Sequence, residues 1–467
     1  MSAIMSNRRH FNFFIVACLF ILFVFFLRAD LGGSNVAKHV KGDVGTWVEG
    51  LREQEKPQEK PEEKPIEKPK PTPKYKPTPT YIPPPVRDPF PLLATSTPPP
   101  IPRWNRPREN LHKDYDLPVP PPLLIGFTRT WPILLQAVVS SITAGWPPEQ
   151  IYVIENTGVQ MANARGQLSL QNPFYLNHAQ LKKLGVNVVQ TPVLLNFAQL
   201  QNFFLSMANT HNWPYYFWSH QDVLTLSFEE GFEGVTPPYD QPGYKTVYEL
   251  GCQWLDDARK NDDRWAVRFF AYDHLALVNP KAYEEVGGWD TFIPYYLTDC
   301  DMHSRLLMSN LSMIDKHAGT VTDTSTALND LIALYRDPKV VPDFTDPNPP
   351  APGPEPAAKS KRAPSPESTK SEDPNLAYYH SLRHVSDRMF HYKHGERGRN
   401  TWQQGQHGGI GDPFYYSAAG FAEAIDVLTE AGREVFRRKW GHRDCDLISG
   451  AGLRPSDAWR VEKDWSD

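Results

Sequence analysis

Leu123-Leu124-Ile125-Gly126-Phe127-Thr128 is a short apolar run that ends at a polar turn, and its length and composition predict a buried strand. Pro132 stands near the start of the next segment, where proline suits the first turn of a helix. Apolar residues then recur at helical spacing until Gly145, which predicts an amphipathic helix after the strand. The folded part of the chain therefore begins with a strand followed by a helix.

The same alternation of strands and helices continues towards residue 309. Short apolar runs predict further strands at 151–154, 186–189, 215–218, 265–270 and 275–278. Helical spacing of apolar residues predicts helices at 197–207, 281–286 and 299–309. Strands that alternate with helices predict an α/β fold, in which helices cover both faces of a mostly parallel sheet.

Polar residues follow three of the predicted strands. They are Thr128-Arg129, Glu155-Asn156 and His220-Gln221-Asp222. In open α/β sheets, ligands bind beyond the carboxyl ends of the strands, so we expect these three groups to face one crevice. Asp222 can bind a hard divalent cation there, although an aspartate at a strand end can also cap the following turn.

The composition limits the classes of protein to which the chain can belong. Its 467 residues carry a net charge of −5 with a pI near 6.3. Neither a basic stripe nor a nucleic-acid-binding motif occurs in the sequence, so we expect no nucleic-acid partner. The four cysteines, at positions 18, 252, 300 and 445, form no CxxC pair. The three in the folded part are compatible with one bridge and one free thiol, or with three buried thiols.

The N-terminal segment 11–27 is apolar apart from Asn12. A helix over this segment spans about 25 Å, which is enough for a thin bilayer. Arg8 and Arg9 precede it and favour a cytosolic N-terminus. A cleaved signal peptide is the alternative, but the run is long for one, and no small-x-small cleavage site is evident after it. We therefore expect a retained single-pass anchor.

Proline-rich tracts precede and interrupt the folded part. Repeats such as Glu55-Lys56-Pro57 lead into Pro83-Pro84-Pro85, and a second tract covers residues 342–374. Such composition cannot bury a core and favours an extended, disordered chain. We therefore predict a cytosolic tail (1–10), a transmembrane anchor (11–27), a disordered stem (28–118), an α/β core (119–335), a disordered insertion (336–376) and the remainder of the folded domain (377–467).

Two carboxylates two residues apart, Asp299 and Asp301, open the last predicted helix. A glycine turn, Gly287-Gly288-Trp289-Asp290, and the apolar run at 292–297 precede them. The pair can stabilise the start of the helix by capping it. Capping alone does not account for the glycine turn and the aromatic residues, which indicate that the carboxylates lie in a site.

The order of these motifs resembles that of GT-A nucleotide-sugar glycosyltransferases, with the pattern of the family 2-like inverting enzymes. Those enzymes have a GGxD-type turn, a Glu-Asp-x-Asp-Leu-x-x-Arg helix start and a downstream His-x-x-Gly. This chain has Gly287-Gly288-Trp289-Asp290, then Thr298-Asp299-Cys300-Asp301-Met302-x-x-Arg305-Leu306, then His317-Ala318-Gly319. The resemblance covers roughly residues 122–320, and Phe436-Arg437-Arg438-Lys439-Trp440-Gly441 is similar to the ending of many of these enzymes.

The resemblance implies a role for each matching residue. Asp299 would be the general base that accepts the proton of the acceptor hydroxyl. The nucleotide sugar and the helix start beside it would be held by Thr128, Arg129, Glu155, Asn156, Asp222, Asp301 and Arg305. Asp222 and His317 would ligate Mn²⁺ or Mg²⁺ under the diphosphate. Glycosyl transfer to a hydroxyl requires such a base and a group that stabilises the departing diphosphate.

Three positions depart from the family pattern. His220 stands where the first acid of the metal-binding Asp-x-Asp would be, Thr298 replaces the glutamate of the helix motif, and the His317 motif is one residue short. His220 can be a metal ligand or a structural hydrogen-bonding group. The sequence therefore supports sugar-nucleotide binding better than it supports metal dependence.

Taken with the resemblance, the order of anchor, stem and folded domain predicts a single-pass type II membrane glycosyltransferase with its catalytic domain in the Golgi lumen. Its partners would be a nucleotide-sugar donor and a glycan, glycoprotein or polysaccharide acceptor. Asn310-Leu311-Ser312 is a glycosylation sequon, which is meaningful only if this domain is lumenal.

Two other functions stay open. The first is a non-catalytic GT-A-fold protein of the Golgi that binds glycans or scaffolds other transferases, which the His220-Gln221 replacement favours. The second is a glycoside hydrolase that uses Asp299 and Asp301. It fits poorly, because side chains two residues apart on a helix point away from each other and cannot flank one bond.

Overall fold

The computed structural model describes residues 72–77, 85–345, 373–395, 408–414 and 417–466. The predicted cytosolic tail, the predicted anchor, most of the stem and most of the insertion lie outside these residues. Within the described ranges, no helix has the length and apolar character needed to cross a membrane. The chain divides into two units between Thr78 and Pro79, and the second unit contains the sheet described below.

The strands of the second unit form one large sheet and one small ribbon. In chain order they are β1 (Leu123–Phe127), β2 (Ile151–Glu155), β3 (Asn187–Gln190), β4 (Tyr216–Ser219), β5 (Val223–Leu226), β6 (Trp265–Phe269), β7 (Leu275–Val278), β8 (Ser312–Asp315) and β9 (Thr320–Asp323). The large sheet has the order β3-β2-β1-β4-β7-β6-β8, and β5 pairs with β9. In the large sheet only β7 runs antiparallel to its neighbours. The predicted α/β class with a mostly parallel sheet is confirmed.

The order of the strands reverses next to β1. The chain moves outwards from β1 through β2 to β3, and β4 then pairs with the other side of β1. At such a reversal the connections depart in opposite directions, and a crevice opens at the carboxyl ends of the two central strands. The residues that directly follow β1 and β4, which are Thr128-Arg129 and His220-Gln221-Asp222, lie at this position.

Side chains of the central strands divide the core into two layers. In β1, Leu123, Ile125 and Phe127 pack into one buried cluster, whereas Leu124 packs into the other. Successive side chains of a strand point to opposite faces, so a strand that is apolar throughout requires cover on both sides.

Helices supply this cover on both faces. They are α1 (Leu92–Thr95), α2 (Trp131–Thr143), α3 (Gln160–Ala164), α4 (His178–Lys183), α5 (Phe197–His211), α6 (Val247–Asn261), α7 (Pro280–Glu285), α8 (Thr298–Met308), α9 (Pro374–His394) and α10 (Ala418–Trp440). Residues of α2, α6 and α9 pack into the first cluster, and residues of α5, α7 and α8 pack into the second. The sheet is therefore held between two helical layers, as in a Rossmann-like fold.

The β5–β9 ribbon is an element that the sequence patterns did not indicate. Its strands run antiparallel, with Val223 opposite Asp323 and Leu226 opposite Thr320. Because Asp222 directly precedes Val223, this register brings Asp222 and Asp323 to the same end of the ribbon. Four-residue strands carry too little periodicity to be recognised alone, and β5 follows β4 after only a short turn.

The predicted boundaries of the folded domain require two corrections. The stem was predicted to extend to residue 118, but Phe90, Leu93 and Leu111 are buried in the core, and the backbone N–H of Val86 donates to Gln171. The insertion was predicted at 336–376, but Arg336 is buried and pairs with Glu229, and α9 already begins at Pro374. In both cases the folded domain extends into a proline-rich part of the chain that was predicted to be disordered.

Candidate active site

A cavity of about 1330 Å³ opens at the carboxyl ends of β1 and β4. The loops after β1, β2 and β4 line one side of it, and the start of α8 lines another. Side chains from the end of α9 and from α10 complete the wall. Ordinary small-molecule sites occupy about 300–1000 Å³, so this cavity has room for a large ligand or for two ligands side by side.

The residues singled out in the sequence divide into two groups. Those that line the cavity are Thr128, Arg129, Asn156, Asp222 and Asp299. Those that are absent from its lining are Glu155, Asp301, Arg305 and His317. Asp222 and Asp299, which are far apart in the chain, therefore share one cavity, and His317 does not share it with them.

Asp299 lies in the first turn of α8, where its carboxylate faces the cavity. The hydroxyl of Tyr272 donates a hydrogen bond to Oδ2 of Asp299 at 2.9 Å. Tyr272 and Leu297, the residue before the helix, both have positive φ angles, 55° and 66°. Such backbone conformations cost roughly 1–3 kcal/mol each and persist only where surrounding structure enforces them. The loop and the helix start are therefore held in place around this carboxylate.

Asp301 is fully buried and joins α8 to α10. It accepts hydrogen bonds from Nε of Arg305 and from Nε1 of Trp440, both at 2.9 Å, and Nζ of Lys439 lies 2.6 Å from its Oδ1. Residues two apart on a helix face different directions, which is why Asp301 turns into the core while Asp299 faces the cavity.

Arg305 and Lys439, which together with Asp301 form a clamp between α8 and α10, also bind the glycine turn. Arg305 donates to the backbone oxygen atoms of Val286 and Gly288 at 2.6 and 2.8 Å, and Lys439 donates to Asp290 at 2.7 Å. Gly288 has a φ of +71°, and a Cβ there would lie 2.9 Å from the Asn202 side chain, so glycine is required at this position. Motifs that are separate in the sequence thus form one support behind the start of α8.

A disulfide between Cys300 and Cys445 fixes the residue next to Asp299 to the segment after α10. Cys252 is buried and free. Of the alternatives that the sequence left open for these three cysteines, the structure has one bridge and one free thiol.

Glu155 does not face the cavity. Its carboxylate is fully buried, accepts hydrogen bonds from Asn163 at 2.8 Å and from Gln190 at 2.9 Å, and lies 2.9 Å from Nε2 of His178. Through these contacts the carboxylate joins α3, α4 and β3 to the end of β2. Glu155 is therefore not placed to contact a nucleotide in the cavity, as the resemblance had implied.

Asn156 and Gln221 organise the loops around the cavity. Asn156 exchanges two hydrogen bonds with the backbone of Leu195, at 2.9 and 2.7 Å. The Gln221 side chain accepts from the N–H of Thr128 at 2.9 Å and donates to the carbonyl oxygen of Arg129 at 2.5 Å. Gln221 thus joins the carboxyl end of β4 to that of β1.

Arg129 brings a buried positive charge to the cavity. Its side chain is only 3% exposed and lies with Cζ 4.3 Å from the centre of the Phe421 ring. Nη2 has no hydrogen-bond partner among the described residues, and burial lowers the pKa of the guanidinium to about 10. A buried polar group without a partner is costly, so this guanidinium is suited to bind an anionic group in the cavity.

Asp222 belongs to a cluster of charged groups at the end of the β5–β9 ribbon. Nζ of Lys393, at the end of α9, lies 2.6 Å from Oδ2 of Asp222 and 3.0 Å from Oδ2 of Asp323. Nε2 of His394 lies 2.8 Å from Asp323, and Nε2 of His274 lies 3.6 Å from it. Burial raises the pKa of Asp323, but Lys393 and His394 outweigh it and lower the pKa to about 2.

His220 lies beside this cluster and pairs with a different carboxylate. Its Nε2 lies 3.5 Å from Oδ2 of Asp273, and its ring is stacked on Phe197. Burial lowers the pKa of His220, but the charge of Asp273 and the hydrogen bond to it more than offset this effect, so the pKa is raised. Of the two roles left open by the sequence, these contacts match the structural one.

The sequence patterns did not single out Asp323, Lys393, His274, His394 or Asp273, although all five line the cavity. One signal was present, because Thr320-Val321-Thr322-Asp323 repeats the pattern of a short strand followed by an aspartate. Lys393 and His394 carried no signal, since only the docking of α9 brings them to the ribbon.

His317 lies at the other end of the ribbon. Asp323 pairs with Val223, whereas Thr320 pairs with Leu226, and these three steps of extended chain already cover about 10 Å. His317 precedes Thr320, and its ring contacts Phe232, with the ring centroids 5.0 Å apart. The predicted pairing of His317 with Asp222 as metal ligands is therefore not present in the structure.

The Asp222–Asp323 pair has the ligand types of a metal site, but the space for an ion between the two carboxylates is taken by Lys393. Two carboxylates with His274 and His394 beside them would suit a divalent cation. The ammonium group of Lys393 lies between the carboxylates, and it has no lone pair to offer a metal. As arranged, these residues do not fit a bound ion. A separate cluster, His442, Asp444 and Asp446, has its ligand atoms within 4.8 Å of one another but does not line the cavity.

No family model and no curated protein matches the chain. Among solved structures, a cytidylyltransferase from Leptospira borgpetersenii is 11% identical, covering 43% of this chain and 76% of its own, with a TM-score of 0.26. The mannosyltransferase PcManGT from Pyrobaculum calidifontis, solved with GDP-Man and Mn²⁺, is 13% identical, covering 44% of this chain and 60% of its own, with a TM-score of 0.27. These similarities are too remote to assign a function.

The fold and the cavity nevertheless define a general class of protein. The chain is a Rossmann-like α/β protein with a mostly parallel sheet and a large cavity at the reversal of its strand order. Such a position binds ligands in open α/β sheets. What the ligand is must be argued from the side chains that line it.

Proposed function

We propose that the chain is a glycosyltransferase of the GT-A, family 2-like type, which moves a sugar from a nucleotide diphosphate to a hydroxyl acceptor with inversion. The observation that carries the proposal is the meeting of Asp299, Arg129 and Asp222 in one cavity at the carboxyl ends of β1 and β4. A carboxylate and a buried guanidinium are the base and the anion-binding group that the reaction requires. The volume of the cavity accommodates donor and acceptor together.

In the proposed reaction, the acceptor oxygen forms a bond to the anomeric carbon of the donor sugar. The bond between that carbon and the phosphate oxygen breaks, and its electron pair leaves with the diphosphate. Asp299 accepts the acceptor proton, and Tyr272 keeps the carboxylate oriented through the bond to Oδ2. Arg129 offers Nη2 to the negative charge that the departing group carries.

The proposal includes a location in the Golgi membrane, with a single-pass type II anchor and a lumenal catalytic domain. Two features support it: the apolar segment at 11–27 in the sequence, and the Cys300–Cys445 disulfide. Disulfides persist in the oxidising secretory pathway and are rare in the cytosol.

The test is a panel of nucleotide sugars offered to the full-length protein in detergent. We expect calorimetry to detect binding of one donor, and Asp299→Asn to keep that binding while turnover falls by about 10²–10⁴-fold, because a general base is lost. Asp315→Asn removes an exposed carboxylate at the end of β8 and should leave turnover unchanged.

Two outcomes would contradict this proposal. If no nucleotide sugar binds, the non-catalytic glycan-binding or scaffold protein becomes the better description. If turnover survives Asp299→Asn, then Asp299 is not the base, whatever the donor.

A further inference from the structure

We propose that Lys393 supplies the cation at the Asp222–Asp323 pair, so that donor binding and transfer require no divalent metal. The inference rests on the proposed function and names the group that neutralises the diphosphate. It starts from a mismatch between the residues that are present and the metal that the family resemblance implies.

Lys393 is buried between the carboxylates of Asp222 and Asp323. Its side chain is only 4% exposed, and those of Asp222 and Asp323 are 10% and 4% exposed. A buried charge is tolerated only when it is paired, and here one ammonium group is shared by two carboxylates. An ammonium carries three N–H donors. The two carboxylates take two of them, which leaves the third for an oxygen of a ligand in the cavity that Lys393 lines.

Two positive side chains at the cavity match the charge of a divalent ion. Lys393 and Arg129 both line the cavity, and together they carry the two positive charges that a divalent ion would bring. Lys393 lies between two carboxylates, which favour the charged form of its amine at neutral pH. Arg129 is also charged there, because its lowered pKa is still about 10.

The ammonium group of Lys393 lies where a metal ion bound by both carboxylates would lie. An ion between Asp222 and Asp323 would have to displace the ammonium and leave a buried positive charge beside it. Like charges at such a distance repel strongly in a poorly solvated site. Removal of the Lys393 charge takes the ammonium out of this position, and the two carboxylates, with His394 2.8 Å from Asp323, then offer the ligand types of a Mn²⁺ site.

These observations assign Lys393 a role at the leaving group of the reaction. When the bond between the anomeric carbon and the phosphate oxygen breaks, the electron pair stays on the diphosphate. Lys393 donates a hydrogen bond to that oxygen without transferring its proton. It therefore stabilises the leaving group by its charge and by this hydrogen bond, in the place where the family would use a metal ion.

The first experiment compares turnover in excess EDTA and in excess Mn²⁺, using the full-length protein with its donor. Wild type should turn over equally well in both. Lys393→Met should lose about 10²-fold in EDTA, the typical effect of removing one preorganised donor to a developing negative charge, and should recover part of this loss in Mn²⁺. Lys393→Arg, which keeps the charge, should stay active in EDTA.

A second experiment measures Mn²⁺ binding by electron paramagnetic resonance and does not depend on turnover. Lys393→Met should gain one Mn²⁺ site relative to wild type, and a further Asp222→Asn should remove it. Lys439→Met is the matched control, because Lys439 is also buried between two aspartates, Asp290 and Asp301, but Asp301 keeps its ion pair with Arg305 in that variant. It should gain no site.

The outcomes separate this inference from the proposed function. Wild-type turnover that requires Mn²⁺ would overturn the inference and leave the glycosyltransferase proposal intact. The inference would equally be overturned if Lys393→Met gained no Mn²⁺ site, or if its new site survived Asp222→Asn. Absence of any nucleotide-sugar binding, with or without Mn²⁺, would overturn the proposed function and with it the role of Lys393.

Discussion

Two aspartates of one short motif acquire different tasks because a helix turns them in different directions. Asp299 faces the cavity and is held by Tyr272, while Asp301 is buried under Trp440 and Lys439. Their spacing was visible in the sequence. The sequence did not show which of the two is buried, because the residues that bury Asp301 come from α10, more than a hundred positions later in the chain.

The hydrogen bond between Tyr272 and Asp299 yields a prediction about turnover. Tyr272→Phe keeps the ring but loses the donor, so Asp299 is less well oriented for proton transfer. A hydrogen bond to a charged group contributes about 1.5–3 kcal/mol, and we expect kcat to fall by about 10- to 100-fold while KM changes little. Steady-state kinetics with the identified donor would measure both constants.

A matched variant separates this effect from a general loss of packing. Tyr378 also donates its hydroxyl hydrogen bond, to the backbone oxygen of Val340, but it does not line the cavity. Tyr378→Phe should leave kcat unchanged. Equal loss of kcat in both variants would show that Tyr272 has no special relation to Asp299.

At the scale of elements, the sequence predicted those parts of the fold whose signal is local. The apolar run of β1 and the helical spacing in α2 and α5 identified the parallel part of the sheet and its carboxyl edge. The β5–β9 ribbon and α9 were missed, because their importance comes from long-range pairing. As a result, Asp222 was identified but the partners that determine its chemistry, Asp323 and Lys393, were not.

The disulfide yields a prediction at this scale, since it joins the first turn of α8 to the segment after α10. The bridge spans 145 residues, and removal of a native bridge lowers the free energy of unfolding by about 2–5 kcal/mol. We expect that loss for the double variant Cys300→Ala, Cys445→Ala in urea unfolding. Turnover should fall as well, because Asp299 is the neighbour of Cys300.

Treatment of wild type with a thiol reductant provides the control for this prediction. Reduction should reproduce both losses in wild type and should have no further effect on the double variant. Unfolding of the double variant at the same urea concentration as wild type would show that the clamp of Asp301, Arg305 and Lys439 holds α8 without the bridge.

At the scale of the whole molecule, the proposal assigns the folded domain to the lumen, and the sequon provides a direct test. Asn310 is exposed in the turn between α8 and β8, and the sequence contains no other N-x-S/T site. In eukaryotic secretory cells the full-length chain should therefore carry one N-glycan, which a glycosidase removes and Asn310→Gln abolishes. The measurement is the shift of the band on a denaturing gel.

His211→Thr creates a second sequon at the exposed Asn209 and should add a second glycan. Modification of neither asparagine would contradict a lumenal domain, whereas modification of Asn209 alone would show that the domain is lumenal and that only Asn310 is skipped.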